Sequence, residues 1–231
     1  MLRFVFFVLA TLFLARVLGH LPFVGGLFAR TGFLGLLITA LLLSWFLSRW
    51  GEYAVRVQRQ RAELRALEAV PSPRNRGKMG TLYLNRGSVA KAAELFEEAR
   101  AGEPEIAEWH YRKGQAELAR GRPEDALQPL GRAVEIDEEH AYGAAMLRLA
   151  EARERTGDDE AALGALERFE RNHGPSPESA YRRGKLLASL GRKDEARAAH
   201  AEIDALVRHA PRYQKAQAQK WQWKARLFRV G

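Results

Sequence analysis

Small residues recur along the middle of this chain at a fixed interval: Gly80 and Gly114 are 34 residues apart, as are Gly87 and Gly121. The same interval separates Ala92 from Ala126, Phe96 from Leu130 and Ala99 from Ala133. After a two-residue insertion it returns between Ala150 and Gly184, Gly157 and Gly191, and Ala162 and Ala196. Four units result, at 73–106, 107–140, 143–176 and 177–210. A repeat of this length is one supersecondary element that cannot bury its apolar face alone, so at least about three must stack to make a continuous core. Four units clear that threshold.

Unit one carries the fullest pattern, with Gly80, Tyr83, Gly87, Ala92, Phe96, Ala99 and Pro104 in place. The small residue lets two helix axes approach, the glycine after the first helix takes the turn, and the alanines sit where helices cross. This pattern in a 34-residue frame resembles the tetratricopeptide repeat (TPR) family and covers about 60% of the chain. The resemblance implies an all-α solenoid in which each unit is a helix, a turn and an antiparallel helix. Glu117 and Arg153 stand at the aromatic position and His200 where a large apolar residue is usual, so the packing of the later units is expected to depart from the pattern. Beyond Pro211, Tyr213, Trp221, Trp223, Leu227 and Phe228 lie among six basic residues, and this tail is expected to cap the open end of the stack as a helix.

The N-terminal part reads differently. Residues 31–48 hold no charge and ten Leu, Ile or Phe, about 27 Å of helix at 1.5 Å per residue, which predicts a membrane span. Residues 4–21 predict another: Arg16 costs up to about 3 kcal/mol at mid-bilayer, but twelve Phe, Val and Leu together contribute roughly 5. A cleaved signal peptide is the alternative for residues 1–21. Pro22 and Gly25-Gly26 predict a hairpin connection at 22–30. The expected architecture is thus all-α: a two-helix transmembrane hairpin in 1–50, a helical linker in 51–72, four TPR units in 73–210 and a capping helix in 211–231. Tyr53, Val57, Leu64 and Leu67 share a stripe on the linker, too short and interrupted to support more than a weak case for a coiled-coil dimer.

Charge is segregated along the chain. The total is +9, but residues 78–210 carry −4 while residues 1–50, 51–77 and 211–231 carry +4, +3 and +6. A nucleic-acid-binding domain would hold its excess on the folded body, so this distribution suits a membrane surface better. Arg49, Arg56, Arg59, Arg61 and Arg65 come closely after the second span, and the positive-inside rule then places the repeats in the cytoplasm, at the inner membrane if the cell is bacterial.

Catalytic constellations are missing from the sequence. There is no cysteine, hence no disulfide, thiol nucleophile or Cys-ligated metal. The six histidines, at 20, 110, 140, 173, 200 and 209, form no i, i+4 pair, and there is no phosphate-cradling glycine loop or Gly-x-Ser-x-Gly elbow. Asp158-Asp159-Glu160 comes after Gly157 at a helix start, where acids cap free N–H groups. No enzyme activity, cofactor or metal is expected.

Function is therefore expected from surface. Carrying the family's first-helix positions onto this chain gives a partner groove of Lys78, Thr81, Asn85, Tyr111, Gln115, Leu118, Leu147, Glu151, Glu154, Tyr181, Lys185 and Ala188. Such a face could receive a peptide; alternatively, Tyr111, Leu147 and Tyr181 only pack between repeats. A clamp for a C-terminal carboxylate is not matched, because Gly77, Thr81, Leu147 and Glu151 stand where it needs other polar or basic groups. In the tail, Arg212, Lys215, Lys220, Trp223, Lys224, Arg226 and Arg229 form a candidate lipid surface, while Trp221 and Phe228 face the fourth unit. The expected role is a membrane-anchored TPR scaffold for protein partners. The alternative is an accessory subunit of an envelope-biogenesis or haem-synthesis complex, since the layout is similar to that of TPR proteins encoded with bacterial haem-synthesis enzymes.

Overall fold

The computed structural model describes residues 13, 17 and 22–227, and the regular elements there are α-helices. Contacts divide the chain into two units, Met1–Arg65 and Ala66–Gly231. The first is dominated by helix α1, Pro22–Glu68. The hairpin connection expected at residues 22–30 is corrected by it, since these residues are helical. Pro22 occupies the first helical position, where its missing N–H is not needed and its fixed φ suits the helix. Gly25 and Gly26 each cost only about 1 kcal/mol relative to alanine, which a helix of 47 residues absorbs. The expected second span and the linker are thus one helix. Of residues 4–21 only Phe13 and Val17 are described, so the expected first span lies outside the described residues. Among the described residues no helix is long and apolar enough to cross a membrane; the side chains of 22–37, 39, 40 and 43 are not among them.

The repeats begin where the N–H groups of a new helix find a cap. Ser72 accepts a hydrogen bond from Asn75 N at 3.2 Å and Pro73 takes the first position of α2, Pro73–Asn85. Its antiparallel partner α3 spans Val89–Gly102. The same pairing repeats in α4 (Ala107–Ala119) with α5 (Pro123–Ile136), α6 (Ala144–Thr156) with α7 (Asp159–His173), and α8 (Pro177–Ser189) with α9 (Lys193–His209). The turn inside each unit passes through Gly87, Gly121, Gly157 and Gly191, all with φ between +77° and +83°, a conformation that glycine adopts without a Cβ clash. Asp158 caps α7 through its side chain and Ala161 N, 3.2 Å apart, in keeping with the capping role read from the sequence.

Packing within each unit rests on one small residue facing one large one. An added Cβ at Gly80 would lie 2.8 Å from Phe96, at Gly114 2.3 Å from Leu130, and at Gly184 2.5 Å from His200. In unit three, Ala150 and Leu166 belong to the same buried cluster. The departures from the pattern are accommodated individually. Buried Glu117 is paired with Lys113 at 2.8 Å and Arg120 at 3.1 Å, Arg153 donates to Ala161 O at 3.1 Å, and the His200 ring stacks on Tyr181 at 6.1 Å. Burial pushes the His200 pKa down from its ordinary value.

Two junctions differ from the rest. The inserted residues before α6 form a left-handed turn, with φ of 51° at Ala141, 57° at Tyr142 and 71° at Gly143. After α9, a final helix α10, Lys215–Leu227, packs on α8 and α9. Its Ala218 joins Ala180, Ile203 and Val207 in one cluster, and Trp221 is 8% exposed, so the expected cap is present; Phe228 lies outside the described residues.

Candidate partner groove on the first-helix face

The first helices α2, α4, α6 and α8 neighbour one another in order, the last two through ion pairs. A basic residue stands two places before the small packing residue in every unit: Lys78, Arg112, Arg148 and Arg182. Lys78 is exposed, whereas the side chains of Arg112, Arg148 and Arg182 keep 31%, 25% and 10% of their accessible surface. The ladder is therefore open at its N-terminal end and closed at its C-terminal end. Arg112 Nε donates to Glu108 at 2.7 Å within α4, and Arg182 Nε repeats that geometry with Glu178 at 3.2 Å within α8. Arg148 has Ala144 in the corresponding place, so it pairs forward with Glu151 and with Glu178 of the next unit.

Arg182 holds the C-terminal end together. It lies 2.9 Å from Glu151 and 2.7 Å from Glu154, and Lys185 Nζ reaches Glu154 at 2.6 Å. Burial opposes its charge, but Glu151, Glu178 and Glu154 together outweigh that and keep the guanidinium protonated. Arg155 adds a bond to Glu151 and another to Leu118 O at 3.0 Å, tying α6 to α4.

A cavity of about 430 Å³ opens between α2, α4 and α6. Asn85, Gln115, Leu118 and Glu151 of the expected groove line it, together with Leu84, Ala119, Arg112, Arg148 and Arg155. Three guanidinium groups make its wall arginine-rich, each of them ion-paired with Glu108, Glu151 or Glu178. Lys78 and Thr81 are not part of it, and Thr81 Oγ1 donates to Gly77 O at 3.1 Å. Tyr111 is buried, its Oη accepting from Gln115 Nε2 at 2.8 Å, and burial pushes the phenol pKa up. The ring of Tyr181 lies 5.5 Å from that of Trp221, beneath the cap. Tyr111 is thus buried in the array, while Tyr181 packs on His200 of its own unit and on Trp221 of the cap. Trp109 fills the space above Gly77, where an added Cβ would come within 2.4 Å of its ring, so a clamp side chain has no room there.

A second, more apolar cavity of about 340 Å³ lies between the N-terminal ends of α6 and α8 and the cap, with Tyr142, Leu147, Phe169, Pro177 and Trp221 in its wall. Glu178 lines it too, and its ion pair with Arg148 connects it to the wall of the arginine-rich cavity. Glu154 and Lys185 are consumed by the Arg182 network, and Ala188 packs on the core.

Sequence reasoning missed Arg112, Arg148, Arg155, Arg182 and Glu178. The recurrence of a basic residue at one repeat position was the available signal. The pairing of each with particular acids was not legible, because it depends on side-chain directions. In the tail, Arg212, Lys215, Lys220, Trp223, Lys224 and Arg226 are exposed, and Arg229 lies outside the described residues. Lys224 Nζ sits 4.2 Å from the centre of the docked Trp221 ring, which puts it at the edge of the docked side.

Known proteins place this arrangement. The model of the family described as tetratricopeptide repeat matches residues 78–142 and again residues 147–211. A crystal structure of MamA is 20% identical with a TM-score of 0.56, covering 73% of this chain and 90% of that one. A thermophilic TPR protein of Thermus thermophilus is 23% identical with a TM-score of 0.55, covering 78% and 97%. YrrB, whose structure is described as a TPR protein with an unusual peptide-binding site, is 17% identical with a TM-score of 0.54, covering 72% and 82%. At these identities the likeness is one of fold. No curated protein matches the chain.

Proposed function

The chain belongs to the tetratricopeptide repeat family, whose model covers more than half of it, and from that premise we propose a membrane-anchored scaffold that binds an acidic segment of a protein partner. Its TPR solenoid is a protein-interaction scaffold; the anchor and the chemistry of the partner are the proposal. The observation that carries it is the ladder of Lys78, Arg112, Arg148 and Arg182, exposed at Lys78, partly exposed at Arg112, and lining an arginine-rich cavity at the second and third. A guanidinium fork suits a carboxylate in a planar, two-bonded arrangement. The apolar cavity next to Leu147 would take a large side chain of the same segment.

Anchoring through α1 is supported by the uncharged run at 31–48 and by the residues at its C-terminal end. Leu41, Leu42, Trp45, Phe46, Leu47 and Trp50 are all about half exposed or more, apolar surface that water disfavours. Trp45, Trp50 and Tyr53 would sit at the headgroup level, and the arginines from Arg49 to Arg65 favour a cytoplasmic flank. In a bacterial cell this is the inner membrane.

Affinity capture with the full chain, solubilised in mild detergent, tests the groove. A double variant, Lys78→Glu with Arg112→Glu, is expected to lose the captured partner while keeping its thermal transition; unchanged recovery would sink the acidic-segment reading. Alkaline extraction of membranes tests the anchor separately, because an embedded chain stays in the pellet. A reporter fused after Gly231 that is active only in the exported compartment should stay silent.

A further inference from the structure

Helix α10 has two faces, and docking on the repeats uses only one. Ala218, Trp221 and Ala225 point into unit four, where Trp221 lies against Tyr181 and within 5.4 Å of the Arg182 guanidinium. Gln222 Nε2 donates to Asp204 Oδ1 of α9 at 2.7 Å, which fixes the rotation of the helix. At 100° per residue the opposite side carries Ala216, Gln219, Trp223 and Leu227. Trp223 is 63% exposed and Leu227 79%, with Tyr213 at 82% in the turn before. Lys215 and Arg226 flank that stripe on one edge, Lys220 and Lys224 on the other. No acid lies anywhere in residues 211–231, whereas the body, residues 78–210, is net negative.

We propose that this outward face of α10 is a peripheral binding surface for anionic lipid. Three features specify that occupant. An indole and a leucine in a row bury shallowly at the boundary between headgroups and acyl chains, and basic residues along both edges reach back to phosphates. A positive charge confined to the tail of an otherwise acidic body is drawn to an anionic leaflet, each basic residue near it favouring contact by about five-fold. The buried Trp221 presents the stripe outward in the folded protein, so no refolding is needed before contact. A single-stranded nucleic acid would meet the same charges and offer a base to Trp223, but it would leave Leu227 without an apolar partner and the acidic body would repel its backbone. This contact is reversible and salt-sensitive. It does not rest on the anchor proposed for α1.

The chain has no cysteine, so Ala216→Cys gives a unique attachment site in the centre of the stripe, and Glu124→Cys on exposed α5 gives a control. The full chain, labelled with an environment-sensitive dye, is mixed with or reconstituted into vesicles whose phosphatidylcholine is brominated on the acyl chains, with or without phosphatidylglycerol. With phosphatidylglycerol at about 0.1 M salt the dye at 216 should be quenched and that at 124 should not. Raising salt to about 1 M, which shortens the Debye length from about 10 Å to about 3 Å, should remove the quenching. Lys215→Glu with Arg226→Glu should weaken it at least about 25-fold at low salt while leaving the thermal transition in place. Equal quenching with phosphatidylcholine alone, equal quenching at both sites, or an equal dye response to RNA without vesicles would overturn the proposal. Whether the chain floats with vesicles after the high-salt wash reports the anchor independently, so the two readings fail separately.

Discussion

Gly114 and Gly131 both sit inside helices, yet substitution should move stability in opposite directions. An added methyl at Gly114 meets Leu130 at 2.3 Å in the unit core, whereas at Gly131 it meets nothing within 4 Å. Gly114→Ala should therefore cost about 1–3 kcal/mol through overpacking. Gly131→Ala should add about 0.5–1 kcal/mol by removing backbone freedom from the unfolded chain, and urea denaturation of the two variants resolves the sign. The small residue facing a large one was legible because the 34-residue interval repeats it. His200 was legible only as an exception; its stacking on Tyr181 over Gly184 was not. Because burial lowers its pKa, the unfolded chain binds the proton more readily than the folded one just below pH 6.5. The stabilising contribution of neutral His200 is thus complete above that pH and lost as pH falls below it. His200→Phe, which restores the apolar type, should flatten this acid-side loss in melting curves taken across that range.

Helix α10 and helix α1 show how far a pattern reaches at the scale of an element. The aromatic stripe of the tail correctly indicated that Trp221 docks, since a helix with one buried face must place it on the open end of a stack. Trp221→Ala should lower stability by about 3 kcal/mol, while exposed Trp223→Ala should change it by less than about 0.5, as read from thermal melts of the full chain. Residues 22–30 misled because proline and glycine signal a turn only where no helix encloses them. Pro22 begins α1, and the glycines lie within it. A similar limit applied to the groove, where Tyr111 and Tyr181 are on the expected face but serve packing. Arg182 ties α8 to α6 through the carboxylates of Glu151 and Glu154, and pairs with Glu178 within its own helix. Arg182→Ala leaves Glu151, Glu154 and Glu178 to Arg148, Arg155 and Lys185 alone and should cost about 1–3 kcal/mol. In a stack whose contacts are between neighbours, the loss falls on unit four and its cap. Denaturation should then show two transitions, the buried Trp221 becoming exposed before Trp109 of unit two.

Across the whole molecule, the solenoid was legible from an interval alone, and the two halves of the repeat array keep step despite the extra residues between them. Arg112 and Arg148 are 36 residues apart rather than 34, yet both line one cavity. The surplus is taken up by the left-handed turn at Ala141, Tyr142 and Gly143, where Tyr142 projects with 89% of its surface exposed. Two residues without the freedom of glycine hold that conformation at a cost of about 1 kcal/mol each, so the turn is maintained by its surroundings and not by its own preference. It behaves as an expansion joint in a rail: length changes there without altering the alignment of the units beyond it. A glycine pair inserted beside Tyr142 should leave the melting temperature nearly unchanged. The same pair inserted after Leu149, inside α6, would rotate the rest of the helix by about 100° per residue and pull Glu151 and Glu154 out of their seats on Arg182. Tolerance of added length is thus concentrated in one turn of the array, and that turn sets where a longer relative of this scaffold could gain residues and still offer its partner a straight row of charges.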